Sequence, residues 1–120
     1  MENAKIESGR AEFALAEVKR VLAAAAKEDE YKAYCKKFPS IVMTNGLAAA
    51  FAFAMEKKGT WCHIYDHSEK WLKELKLMDS NNNLMDYTCG LSTAEYRVVT
   101  KEIIALFSWI RRFASGSSKG

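Results

Sequence analysis

The stretch Ser92-Thr-Ala-Glu95 marks the start of the most strongly determined element in the chain. A Ser hydroxyl at the N-cap can accept from the N–H three residues on, and the Glu there can reach back to the Ser N–H. Tyr96, Val99, Ile103, Leu106, Phe107, Ile110 and Phe113 then recur at three- and four-residue spacing. This pattern predicts one amphipathic helix from the capping box to about Ala114. A single Pro and six Gly in 120 residues leave too few turn residues for a many-turned β architecture. Seventeen Ala, many of them clustered, favour helix throughout.

The earlier segments follow the same period. From about Asn3 to Lys27, one stripe holds Ile6, Gly9, Phe13 and Ala16, and its neighbour holds Ala14, Val18, Val21, Leu22 and Ala25. Glu28-Asp29-Glu30 favours the start of a short second helix, which carries Tyr31, Tyr34, Cys35 and Phe38 and is expected to end at Pro39. Ser40 to Lys57 is apolar nearly all round and reads as a central helix, stopped by Lys57-Lys58-Gly59. Thr60 is positioned to cap a fourth helix with Trp61, Ile64, Tyr65, Ser68, Trp71, Leu72 and Leu75 along one seam. Asp79 to Asn83 is a loop, and a short turn follows around Leu84 to Tyr87. The expected fold is all-α, a single compact bundle of five to six helices over residues 1–114, with 115–120 a flexible polar tail.

No catalytic signature emerges. There is no P-loop, GxGxxG or paired-acid motif, and no CxxC among Cys35, Cys62 and Cys89. Three well-separated cysteines read as free, buried thiols in a reducing cytosol. His63 and His67 are four apart, but Ile64 stands where a zincin needs Glu, so both read as a solvated helix face. No metal, cofactor or small-molecule substrate is expected. The uncharged run Phe38 to Met55 is too broken for a membrane span, and the N-terminus has no apolar signal core. A cytoplasmic chain is expected.

Charge is more informative. Residues 1–30 hold five basic and seven acidic side chains, and 31–120 hold thirteen and eight. At about 100° per residue, Lys101, Arg111 and Arg112 fall within about 60° of Arg97 on the last helix, opposite its apolar face. Glu102 lies outside that sector. Arg97 to Arg112 spans about 22 Å, enough to meet several phosphates of a strand. A solvated face explains the same geometry, and both readings stand. Lys36-Lys37 and Lys57-Lys58 are further cationic pairs, each near an expected helix C-terminus, where cations are favoured in any case. Trp109, at about 120° on this wheel, either contacts a partner or covers a flank of the core.

Two blocks carry a resemblance. Tyr34-Cys-Lys-Lys-Phe-Pro-Ser-Ile-Val-Met-Thr-Asn-Gly-Leu47 joins a Lys-rich turn and Pro to an apolar helix bearing Asn-Gly-Leu. Glu95-Tyr-Arg-Val-Val-Thr-Lys-Glu102 leads to Trp109-Ile-Arg-Arg-Phe-Ala114, and Arg10 also fits. In these blocks the chain resembles the small subunit of the type III-B CRISPR RNA-silencing effector, the Cmr complex. The resemblance implies a non-catalytic helical subunit whose copies stack along the filament of backbone subunits. It implies crRNA and target RNA as partners, met through basic surface. Arg97, Lys101 and Arg111 are the first nucleic-acid-binding candidates, followed by Arg112, Lys36 and Lys37. The acidic first thirty residues then suit a neighbouring subunit. The small subunit of the related type III-A complex and a helical protein–protein adaptor are the alternatives.

Overall fold

A computed structural model describes the backbone of residues 2–24 and 27–117, and the side chains of 9–24 and 27–117. Ile6, Ala25, Ala26 and the last three residues of the expected tail lie outside the described side chains. Among the described residues there are six helices and no strand. They are α1 (Glu2–Ala24), α2 (Glu28–Asn45), α3 (Leu47–Lys57), α4 (Trp61–Glu74), α5 (Leu84–Cys89) and α6 (Thr93–Gly116).

The main departure from expectation is at Pro39, which lies inside α2 and does not end it. Proline removes the bond to the Cys35 carbonyl, at a cost of about 3 kcal/mol in a helix interior. A continuous buried face offsets this: Tyr31, Cys35, Phe38 and Val42 are all at most 2% exposed. Each large apolar side chain so buried contributes about 1.5–3 kcal/mol, and Val42 reaches the core only if the helix runs on through Pro39. The break falls instead at Gly46, with φ 92° and ψ 161°, a conformation open essentially to glycine. Its N–H donates to the Val42 carbonyl at 2.8 Å, and its carbonyl accepts from Ala50 at 3.0 Å. Across the break the Ala48 N–H donates to the Tyr96 hydroxyl at 2.9 Å. The run Ser40 to Lys57 is therefore two helix pieces, each with one buried face. Met43 and Met55, expected inside a central helix, are 73% and 51% exposed.

The remaining elements follow their sequence patterns. In α1, Ala14, Val18, Val21 and Leu22 are buried. Phe13 packs on Trp71 with centroids 5.0 Å apart. In α4, Trp61, Ile64, Ser68, Trp71 and Leu72 are buried along the expected seam. Thr60 makes no cap bond with its side chain; its hydroxyl donates to Glu30 Oε2 at 3.2 Å. The first α4 amides donate to the carbonyls of Lys58, Gly59 and Thr60. In α6 the capping box forms as read, with Glu95 N–H donating to Ser92 Oγ at 3.2 Å and Ser92 N–H to Glu95 Oε1 at 2.9 Å. Val99, Ile103, Leu106, Phe107, Ile110 and Ala114 are buried, and the helix continues two residues past Ala114 to Gly116.

α6 packs against both α1 and α2. Phe38 meets Phe107 at 4.9 Å, and Gly46, which ends α2, lies beside the Tyr96 hydroxyl, so α2 runs antiparallel to α6. One outer face of α6 is left facing water.

Candidate nucleic-acid interface

The outer face of α6 presents the basic residues picked from sequence. Arg97, Lys101 and Arg112 are exposed, and Arg111 is half-buried. Arg97 and Lys101 sit on consecutive turns, and the arginine pair follows two to three turns later. Lys36 and Lys37 are exposed on α2. They lie about 160° and 100° around that helix from Phe38, which faces α6, so they form a separate patch.

Ion pairing divides the cations, and Lys19, Lys57, Lys58 and Lys76 fall with these six in having no carboxylate within 4 Å among the described residues. Arg10, Arg20, Lys27, Lys32, Lys70 and Lys73 all lie within 4 Å of a carboxylate. Among the described residues, none of Arg97, Lys101, Arg111, Arg112, Lys36 and Lys37 does.

Both carboxylates of α6 are engaged elsewhere. Glu95 closes the capping box, whose bonds hold its carboxyl below the usual range. Glu102 accepts from Arg10 Nε at 2.8 Å and Nη2 at 3.0 Å, and from the Trp71 indole N–H at 2.8 Å. Burial alone would raise the Glu102 pKa; the Arg10 and Trp71 hydrogen bonds outweigh it and keep the group low. The Glu102 charge is thus tied to α1 and α4, while Arg97, Lys101 and Arg112 face water.

Trp109 is half-buried against the core and stacks on Phe113 at 5.6 Å, which supports the flank-of-core reading of this residue.

His67 corrects its sequence reading, while His63 is half-buried at the surface. His67 is fully buried, because Tyr31 and Glu17 satisfy both ring nitrogens. Burial pushes the Tyr31 phenol up, so it stays protonated and donates to Nε2 at 2.7 Å. Nδ1–H then donates to Glu17 Oε1 at 3.0 Å. Arg20 also reaches that oxygen at 3.1 Å. The hydrogen bond from His67, foremost, and Arg20 hold the Glu17 carboxyl down at about 2 against its burial. Tyr31 and His67 are both 0% exposed, so this acid–imidazole–phenol chain ties α1, α2 and α4 together inside the core. Sequence reading missed it because Glu17 and Tyr31 look like ordinary helix residues until three helices converge. Among the described residues, no group of three or more His, Cys, Asp or Glu could hold a metal ion.

The cysteines also differ from expectation. Cys35 is buried, but Cys62 and Cys89 are exposed, each on the outer side of its helix. No described helix is long and apolar enough to cross a membrane.

Fold and surface together define a small helical bundle whose last helix turns Arg97, Lys101 and Arg112 outward. The family of the CRISPR-associated protein (Cas_Cmr5) matches residues 6–117. The chain belongs to that family, the small subunit of the type III-B Cmr complex, and its partners are other subunits of that complex.

Proposed function

We propose that this chain is a non-catalytic subunit of a type III-B ribonucleoprotein effector, in antiviral defence, that holds the target strand or the crRNA–target duplex. Arg97, Lys101 and Arg111 carry the contact, and Arg112, Lys36 and Lys37 add to it. The observation that supports this reading most is that Arg97, Lys101 and Arg112 stand exposed on one face of α6 with no carboxylate within 4 Å among the described residues, while Glu102, on another side of the helix, is engaged by Arg10 and Trp71. Cations so placed are free to meet phosphates. Copies stack along the backbone filament in the cytoplasm, and the acidic first segment faces a neighbouring subunit.

A formal charge of +3 is small for a nucleic-acid binder. A single copy binds weakly, and useful affinity comes from several copies on one filament. Titration of the isolated chain with single-stranded RNA at two salt concentrations tests this. Weak binding that falls steeply with salt is expected. Tight, salt-independent, sequence-specific binding contradicts it. A protein–protein adaptor would show no RNA binding at either salt.

A further inference from the structure

Beside Arg97 and Lys101 lies an apolar groove that phosphate contact does not explain. Leu77, Tyr87, Ala94, Glu95, Val98 and Val99 line it, and it encloses about 290 Å³. Two of its walls are aliphatic side chains left in water: Val98 is 59% exposed and Leu77 is 44% exposed. The anchoring of α6 does not require Val98, because its neighbour Val99, 2% exposed, already packs into the core. Tyr87 adds a half-buried ring.

Helix geometry joins this groove to the cations. Ala94, Val98 and Lys101 follow one another at four- and three-residue spacing, as do Arg97 and Lys101. The apolar lining and the two positive side chains are therefore contiguous on the first turns of α6. Exposed Lys76 precedes Leu77 on the opposite wall.

We infer that the groove receives one unpaired nucleobase of the RNA strand whose phosphates meet Arg97 and Lys101. The inference rests on the nucleic-acid reading above and names what that surface recognises. A ligand with a flat apolar part next to an anionic part matches this charge layout, and a nucleotide has both. The volume sits just below the usual range for ligand pockets, about 300–1,000 Å³, which suits a single ring system. Glu95, kept ionised by the Ser92 cap, lies in the lining and disfavours a phosphate inside the groove. Its carboxylate can accept from an exocyclic amine, as acidic side chains do from cytosine N4. The base thus goes in and the phosphates stay out, on the arginine and lysine. Stacking on an aromatic beside a cationic track is how strands are held without sequence readout.

The test compares short oligocytidylate with an abasic ribose-phosphate oligomer of equal length, by fluorescence anisotropy and methyl NMR on the full chain. Oligocytidylate should bind at least about fivefold more tightly, the lower end of what one stacked base contributes. It should also shift the Leu77 and Val98 methyl signals, and the abasic oligomer should not. Val98→Ser, and separately Leu77→Ser, should bring the ratio towards one while abasic affinity stays unchanged. Equal binding of both oligomers overturns the groove assignment and leaves the phosphate contact standing. Absence of binding by either oligomer overturns the nucleic-acid reading itself. An unchanged ratio in both variants overturns the site, as does a Val98→Ser chain that keeps the ratio but no longer joins the other subunits, which makes the groove a protein interface.

Discussion

The Arg10 guanidinium meets the Glu102 carboxylate through two hydrogen bonds, Nε to Oε1 at 2.8 Å and Nη2 to Oε2 at 3.0 Å. The two residues are 92 positions apart and both side chains are largely buried, at 16% and 15% exposure. The pair fixes α1 against α6. It also offsets the Glu102 charge on the inner side of the helix that presents Arg97 and Lys101.

Replacing Arg10 by Ala leaves the Glu102 carboxylate with the Trp71 N–H alone. A part-buried carboxylate stripped of its charged partner costs about 1–3 kcal/mol. Thermal melting of Arg10→Ala should drop by several degrees. A melting point equal to wild type contradicts the role given to this pair.

Gly46 occupies a backbone conformation open essentially to glycine, and a Cβ there would stand 3.3 Å from the Tyr96 hydroxyl. Gly46→Ala should cost about 1–3 kcal/mol, read as a lower denaturant midpoint. Gly116 has open space and a helical backbone, so Gly116→Ala should leave the midpoint unchanged or slightly raised. Equal effects of the two changes contradict the account of the α2–α3 break.

Much of this fold is legible in the sequence, and what is not has definite causes. The capping box at Ser92 and Glu95 and the α6 stripe are local signals, so residues a few positions apart suffice to read them. Pro39 is read as a stop because propensity counts the lost hydrogen bond and not the burial of Val42 beyond it. Asn45-Gly46 is the true break, yet inside an apolar run it carries little periodic signal. That Glu102 lies away from Arg97 and Lys101 is legible from the helix period, but its partners Arg10 and Trp71 come from distant helices and are beyond local reading. Glu17, Tyr31 and His67 are hidden in the same way.

Glu17 sets an acid limit on stability. Its carboxyl ordinarily titrates near 4.5 and is held at about 2 in the fold. A lowered folded pKa means that the stabilisation is complete above the unfolded value and is lost as pH falls through the folded one. Stability should therefore fall between about pH 4.5 and 2. Glu17→Gln should show a shallower fall over that window in denaturant titrations at each pH, because it lacks this proton uptake. An identical pH slope in variant and wild type contradicts the Glu17–His67 coupling.

Cysteine labelling checks the core directly. Burial pushes the Cys35 thiol up to about 12, and the thiolate is the reactive form. Cys62 and Cys89 are exposed. A thiol reagent should modify two cysteines quickly in the folded chain and the third only with unfolding. Rapid modification of all three contradicts the placement of Cys35 on the inner face of α2.

The central claim is that the outer face of α6 holds the target strand. Its most direct test is target-RNA affinity of a reconstituted type III-B complex carrying the Arg97→Ala, Lys101→Ala, Arg111→Ala triple variant of this subunit. The account predicts weaker target binding and a reduced salt dependence, with helicity and melting of the isolated variant unchanged. Target affinity equal to that of the wild-type complex contradicts it and leaves α6 with no more than a solvated face.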